Sequence, residues 1–251
     1  MTVAAHTAIV LQRQLRPMSR DPFTLVFGIL QPVVFLVLYG PLVAEMSGGV
    51  GTSPWQWFVP GIIVMVSLFG TSVAGAYLLE EMRIGAFERF LVTPLDRSSL
   101  LIGRALKDVV PLVLQALLII VLVTPFGFQL HLVGVALGLV LLAVFGVGLG
   151  ALSHSLAMAV RRQEYLFWLI QQTFLFPVLL LSGILLPIEG GPDWLRAASR
   201  LNPLTYLVEA ERALFNGDLT HPSVLIGAVV AVAVAVIGLS LGIRMMRRAA
   251  A

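Results

Sequence analysis

Leu132 to Ser153 reads LVGVALGLVLLAVFGVGLGALS, 22 consecutive residues without a charge. As a helix rising about 1.5 Å per residue this stretch is about 33 Å long, enough to cross a hydrocarbon core about 30 Å thick. Five further stretches have the same character: Phe23 to Val43, Phe58 to Leu79, Val109 to Thr124, Tyr165 to Leu186 and Val224 to Ile243 contain no Asp, Glu, Lys or Arg, although the chain carries 16 basic and 13 acidic residues. Inside a bilayer each backbone polar group must be satisfied within its own segment, which makes such stretches helices. The sequence therefore predicts an all-α polytopic membrane protein with six transmembrane helices, built as one membrane domain over 1–251.

The basic residues set an expected orientation, because cytoplasmic loops retain Lys and Arg. With the N-terminus inside, thirteen of the sixteen fall on inner segments and only Arg196, Arg200 and Arg212 fall outside. Trp55, Trp57 and Trp194 then lie near the outer boundary, where indoles favour the headgroup region. Both termini are expected to be cytoplasmic. The first apolar stretch exceeds a signal-peptide core and lacks a small-residue cleavage site, so it is expected to remain in the mature chain.

Composition excludes several functional classes. A 251-residue chain that is 59% hydrophobic leaves too little polar sequence for a separate soluble domain. The net charge of +3 follows from the positive-inside bias rather than from a nucleic-acid surface, and no nucleic-acid partner is expected. With no cysteine there is no disulfide, thiolate metal site or cysteine nucleophile. The single lysine, Lys107, follows Leu106 and cannot belong to a P-loop, which needs Gly-Lys followed by Ser or Thr. His6, His131, His154 and His221 show no HExxH spacing, and no Ser/His pair of the rhomboid kind is present. His154, beside Ser153 at the inner end of the fourth stretch, reads as an interfacial polar residue. Since the six stretches contain no ionisable side chain, coupling to a proton or sodium gradient is not expected.

Between the stretches the chain has its own organisation. Residues 1–20 segregate Ala5, Ile9, Leu11, Leu15 and Met18 from His6, Gln12, Arg13, Arg16 and Arg20, the pattern of an interfacial helix on the inner surface. Asp21-Pro22 turns it into the first span. Pro125 to His131 is short enough to make spans three and four an antiparallel hairpin. Gly134/Gly138, Gly146/Gly150 and Gly238/Gly242 are GxxxG pairs that permit close helix approach.

Two connections are longer. The inner segment 80–107 mixes charge with apolar residues at helical spacing through Phe87, Phe90 and Leu91, and a short helix should stop before Thr93-Pro94. It reads either as a solvated loop packed on its own domain or as a docking helix for a cytoplasmic partner. The outer segment 187–222 is too apolar for an open loop and too interrupted to span. Asn202 can cap a helix beginning at Pro203, with Leu204, Leu207, Val208, Leu214 and Phe215 on one face. This re-entrant segment dips into the outer leaflet, lies on it, or simply covers the bundle.

These two segments carry a family resemblance. Glu81-Met82-Arg83-Ile84-Gly85-Ala86-Phe87-Glu88-Arg89-Phe90-Leu91-Val92-Thr93-Pro94 resembles the ERxxGTxExLxxTP segment of type-2 ABC exporter permeases, especially the daunorubicin-resistance-like drug exporters. Ser182-Gly183 with Pro187, and Asn202-Pro203-Leu204-Thr205-Tyr206 with Glu209, Arg212 and Ala213, resemble that family's second signature. Phe87 stands where Leu is usual and Ala86 replaces a common Thr. The resemblance implies a half-transporter: two permease chains, identical or paired, with two cytoplasmic ATPase subunits beneath them. ATP and Mg would sit on those subunits, and this chain would bind no cofactor or metal. It also implies a coupling helix at Glu81, Arg83, Gly85, Phe87, Glu88, Arg89 and Leu91, and an outer re-entrant helix marked by Asn202, Pro203, Tyr206, Glu209 and Arg212.

Span five is the richest in polar and aromatic groups. Tyr165, Trp168, Gln172 and Phe176 follow helical spacing on one face, with Phe167, Gln171 and Phe174 on the adjoining stripe. This surface suits a partly aromatic amphipathic substrate, or else a dimer seam and membrane lipid. Because spans one, two and five line the path in the resembled family, Gln31, Phe69, Thr71 and Ser72 join Tyr165, Trp168, Gln171, Gln172 and Phe176 as candidate pathway residues. The expected function is that of the transmembrane subunit of an ATP-driven exporter in a bacterial plasma membrane, moving a drug, antibiotic, lipid or polyketide. A polysaccharide or glycolipid exporter of the same superfamily is the alternative within transport. A non-transporting scaffold or membrane enzyme is the alternative outside it.

Overall fold

A computed structural model describes residues 30, 33–41, 54–85, 97–185 and 188–249. Among them all regular structure is helical: α1 over 33–41, α2 Pro54–Arg83, α3 Arg97–Val123, α4 Leu132–Ala159, α5 Glu164–Leu180, α6 Asp193–Arg200, α7 Pro203–Phe215 and α8 Pro222–Ala249. Four of these helices contain segments long and apolar enough to cross a membrane, Pro54–Arg83, Ile102–Phe126, Leu132–Ala159 and Pro222–Arg247. α5 is apolar but has only 17 residues, about 25 Å of helix.

α2 is the central helix. Apolar on every side, it buries 67% of its most apolar window, against 22% for α8, as expected of a helix surrounded by others. Phe58, Ile62, Ile63 and Met65 are among its largest fully buried side chains. α1 leans on it through Leu36 and through Tyr39, whose ring stacks on Phe58 at 6.4 Å. α3 ends in a 3-10 turn at Thr124–Phe126, closed by Gly127 in the left-handed region (φ 92°). The chain then returns antiparallel as α4, forming the expected hairpin.

α4 packs most extensively on α8, then on α2. That closeness is a backbone matter: a Cβ on Gly148 would lie 2.7 Å from the Ala235 nitrogen, and one on Gly238 would strike the Gly148 carbonyl. Dispersion between closely approaching backbones holds helices together where lipid is as apolar as leucine. Gly134 and Gly138 open α4 instead to Leu214 and Phe215 of α7.

The helices differ from the apolar stretches at their ends. α2 runs on to Arg83, and α3 begins at Arg97 rather than near Val109, so both ends of the 80–107 segment are helical, while the short helix expected before Thr93-Pro94 lies outside the described residues. Arg104, Lys107 and Asp108 therefore lie on a span helix, and His154 lies inside α4, which continues to Ala159. This overturns the expectation that span helices carry no ionisable side chain. Apolar composition marks the lipid-facing length of a helix, whereas its hydrogen-bonded length includes buried polar turns. The interfacial helix over 1–20 and most of the first span lie outside the described residues.

Candidate functional site

Three sets of side chains stand out, at the two ends of the bundle and along α5. At the C-terminal end of α2 the chain brings five ionisable groups together from three helices. The Arg104 guanidinium donates to the Glu81 carboxylate at 2.5 Å, joining α3 to α2. Lys107 Nζ lies 3.2 Å from Asp108 Oδ1 and 5.7 Å from the centre of the Tyr77 ring. His154 Nε2 of α4 approaches Asp108 Oδ2 to 3.6 Å, just beyond hydrogen-bond reach. Arg104 and His154 are only 3% and 2% exposed, so His154 is a core residue and not an interfacial one. Arg104 and Asp108 are four apart and share a face of α3, which lets one helix offer a cation to α2 and a carboxylate to α4. Buried charges persist in such surroundings only when paired.

One turn away, the Ser153 hydroxyl of α4 donates to the Ser72 carbonyl at 2.5 Å and accepts from the Gly75 N–H at 2.9 Å. A Cβ on Gly75 would lie 2.7 Å from both the Ser153 hydroxyl and the Phe167 ring of α5. Glycine there admits both partners. Beyond the cluster, Arg83 and Glu80 form an exposed pair at 3.7 Å, of a kind worth little to stability. Gly85 ends α2 with φ 70°, its N–H bonding the Met82 carbonyl at 3.2 Å. Of the expected coupling residues, Glu81, Arg83 and Gly85 are thus at the end of α2, while Phe87, Glu88, Arg89 and Leu91 lie outside the described residues.

α5 is held at few points. Only Phe167, Leu175 and Leu179 are buried, while Tyr165, Trp168, Gln172 and Phe176 are exposed. Phe167 thus parts from its stripe neighbours: it anchors the helix against Gly75 and meets Trp168 edge-on at 5.4 Å. Gln171 is half-buried, and its Oε1 has no hydrogen-bond partner among the described residues. The candidates on α2 do not share this exposure. Thr71 is 1% exposed, closes on the Ser67 carbonyl at 2.6 Å and faces Gly146 of α4. Ser72 gives its carbonyl to Ser153, Phe69 is half-buried, and Gln31 lies outside the described residues.

At the opposite end, side chains of α7 collect the carbonyls left over where α5 stops. Asn202 Oδ1 accepts the Leu204 N–H at 3.0 Å, capping α7 ahead of Pro203, while its Nδ2 donates to the Val178 carbonyl at 2.7 Å. Thr205 donates to the Leu181 carbonyl. Arg212 donates to the Gly183 carbonyl at 2.9 Å and the Trp57 carbonyl at 3.1 Å, with its guanidinium 4.0 Å above the Trp57 ring. Helix C-termini leave four carbonyls without intrahelical donors, and these side chains serve that need. Tyr206 donates to the Arg200 carbonyl at 2.7 Å, whereas Glu209 is exposed.

Sequence reading missed two residues here. Gln56, 3% exposed, donates to the Gln129 and Phe215 carbonyls and accepts the Gln129 N–H, tying α2, the α3–α4 turn and the end of α7 together. Glu211 is fully buried against Gly138 with neither oxygen hydrogen-bonded among the described residues. Burial raises its carboxyl well above the usual carboxylate range. Its position was legible in principle, since 204, 207, 208, 211, 214 and 215 form one helical stripe.

The profile of the family described as ABC-2 type transporter matches residues 5–216. The chain is 30% identical over 213 residues to the transport permease ycf38 of Cyanophora paradoxa, covering 83% of this chain and 73% of that protein. It is 25% identical over 218 residues to the daunorubicin resistance ABC transporter permease protein DrrB1 of Streptomyces coeruleorubidus, covering 86% and 77%. It is 23% identical over 218 residues to the doxorubicin resistance ABC transporter permease protein DrrC of Mycobacterium tuberculosis, covering 85% and 78%.

Proposed function

The chain belongs to the ABC-2 type transporter family, and from that premise we propose that it is the permease subunit of an ATP-driven exporter for hydrophobic or amphipathic compounds. The observation that carries the export reading is the Tyr165, Trp168, Gln172 and Phe176 face of α5. It is an aromatic and amide surface left uncovered on an apolar helix, and it offers a partly aromatic substrate stacking area with a hydrogen-bonding group. Relatives named for daunorubicin and doxorubicin resistance support that substrate class. The sequence has no P-loop, which agrees with hydrolysis on separate ATPase subunits holding ATP and Mg.

In this reading two permease chains pair in a bacterial plasma membrane with both termini cytoplasmic, and two ATPase subunits dock beneath the connection between α2 and α3. The apolar residues Phe87 and Leu91 bury against the ATPase, with Glu88 and Arg89 orienting the contact. The test is ATP-dependent uptake of daunorubicin and of a fluorescent phospholipid by inside-out vesicles containing the chain together with an ABC ATPase subunit from the same organism. Uptake of either above vesicles lacking the chain supports the reading, and no ATP-dependent uptake of both sinks it.

A further inference from the structure

The seam between α7 and α4 has glycine on one side and an acid on the other. A Cβ on Gly134 would strike the Leu214 carbonyl, and one on Gly138 would lie 2.5 Å from Glu211 Oε2 and 2.6 Å from the Phe215 ring. α8 closes the flank, since a Cβ on Gly227 would meet the Ala210 side chain and lie 2.9 Å from the Tyr206 carbonyl. Glu211 is thereby 0% exposed, and neither of its oxygens has a hydrogen-bond partner among the described residues. A carboxylate seated there would be a bare charge among apolar groups, at a far greater cost than a neutral polar group left unpaired. We propose that Glu211 is a proton-binding site: it holds one proton while α7 is seated on α4 and releases it to water whenever that seam parts.

The helices packed around the seam bring no charge to it. α2 has no ionisable side chain from Pro54 to Ala76, α4 none from Leu132 to Ser153 and α8 none from Pro222 to Ile243. The histidines ahead of α4 and α8 are turned to other partners, His131 Nδ1 to the Phe215 carbonyl at 3.0 Å and His221 Nδ1 to the Ser223 hydroxyl at 2.7 Å. On α7 itself Arg212 donates to the Gly183 and Trp57 carbonyls, Tyr206 donates to the Arg200 carbonyl, and Glu209 is exposed. At the two ends of α7, Asp193 and Arg196 pair with each other, Arg200 is exposed, and Asp218 accepts from Thr220. Burial accordingly raises the Glu211 carboxyl above the usual carboxylate range. Seating therefore takes up a proton and parting gives it back. Between the ordinary pKa, about 4.3, and the raised value, each pH unit favours the parted seam by up to about tenfold.

The inference goes beyond the export reading, and its test needs neither substrate nor ATPase. Amide hydrogen exchange of α7 is followed in the whole chain in detergent and divided, at each pH, by that of Glu211→Gln, which cancels the intrinsic pH dependence of exchange. The ratio for α7 should rise by up to about tenfold per pH unit above the ordinary carboxylate range, while the ratio for α3 stays constant. A ratio for α7 that does not vary with pH overturns the proposal, and so does one that varies equally in α3. If Glu211→Gln does not accumulate, Glu211→Leu is the neutral reference. Infrared spectra of the parent chain decide the same point without any variant. About one pH unit above the ordinary pKa of about 4.3, a protonated-carboxyl stretch should persist and should shift with isotope-labelled glutamate, which sets it apart from Asp108. No such glutamate band means that Glu211 is ionised in its seat, and the proposal fails.

Discussion

The two ends of the bundle are held together by different chemistry. At the Glu81 end the tie across helices is an ion pair, Glu81 with Arg104, beside Lys107 and Asp108 paired on α3 itself. At the Trp57 end they are amides, a hydroxyl and one guanidinium serving backbone carbonyls. A buried ion pair is directional and brittle, because losing one partner leaves an uncompensated charge. A side chain on a carbonyl replaces a bond that water would otherwise make, and its loss costs a desolvated acceptor. The ionic end is therefore the one most sensitive to losing a single partner, and the carbonyl-serving end seats a helix pair over the ends of others.

The largest effect should come from the ionic end and should be asymmetric. Glu81→Leu leaves Arg104 buried without its carboxylate and should cost about 3 kcal/mol of stability. Arg104→Met leaves Glu81, which reaches solvent, and should cost about 1 kcal/mol. Thermal unfolding in detergent reads both, and equal losses would remove the distinction between the two ends.

Next comes the carbonyl-serving knot. Gln56→Leu strips two carbonyls and one N–H of their partner and should cost about 2 kcal/mol. Gln56→Glu should fare no better, because a carboxylate cannot donate to the Gln129 and Phe215 carbonyls. A Glu variant as stable as the parent would show that the donor role is not what holds this end.

Glu211 sharpens the comparison, because it is a carboxyl at the carbonyl-serving end with no ion-pair partner among the described residues. Its folded-state pKa is raised by burial, so the unfolded chain releases the proton first as pH rises. The stability present below the ordinary carboxylate pKa, about 4.3, is lost progressively as pH climbs toward the raised value. Glu211→Gln removes that titration. The stability of the parent relative to this variant should decline as pH rises above the ordinary carboxylate range, and parallel pH curves for the two would refute it.

The smallest stability effect belongs to α5, which joins the two ends. Gln172→Leu removes one exposed amide and should change stability by no more than about 0.6 kcal/mol, the average for an interhelical hydrogen bond in membranes. Its effect should instead appear as a changed ranking of exported substrates. An unchanged ranking across several compounds would make Gln172 a packing residue, and loss of the dimer would place it at the subunit seam.

The sequence by itself determined that the chain is helical and membrane-embedded, because uncharged stretches near 20 residues have no other stable form in lipid. It also marked Asn202 and Pro203 as the start of α7, since capping is a local event between residues two apart. Tertiary structure alone decided where the span helices end and which polar groups meet. The Glu81–Arg104 contact joins residues 23 positions apart and the Gln56–Phe215 contact joins residues 159 apart, and no local period encodes either distance. Phe167 and Gln172 look equivalent as aromatic and amide members of one helix, yet one is buried and the other exposed. Which face of α5 is anchored depends on the groove that Gly75 opens in a different helix, and that groove exists only once α2 and α4 have packed.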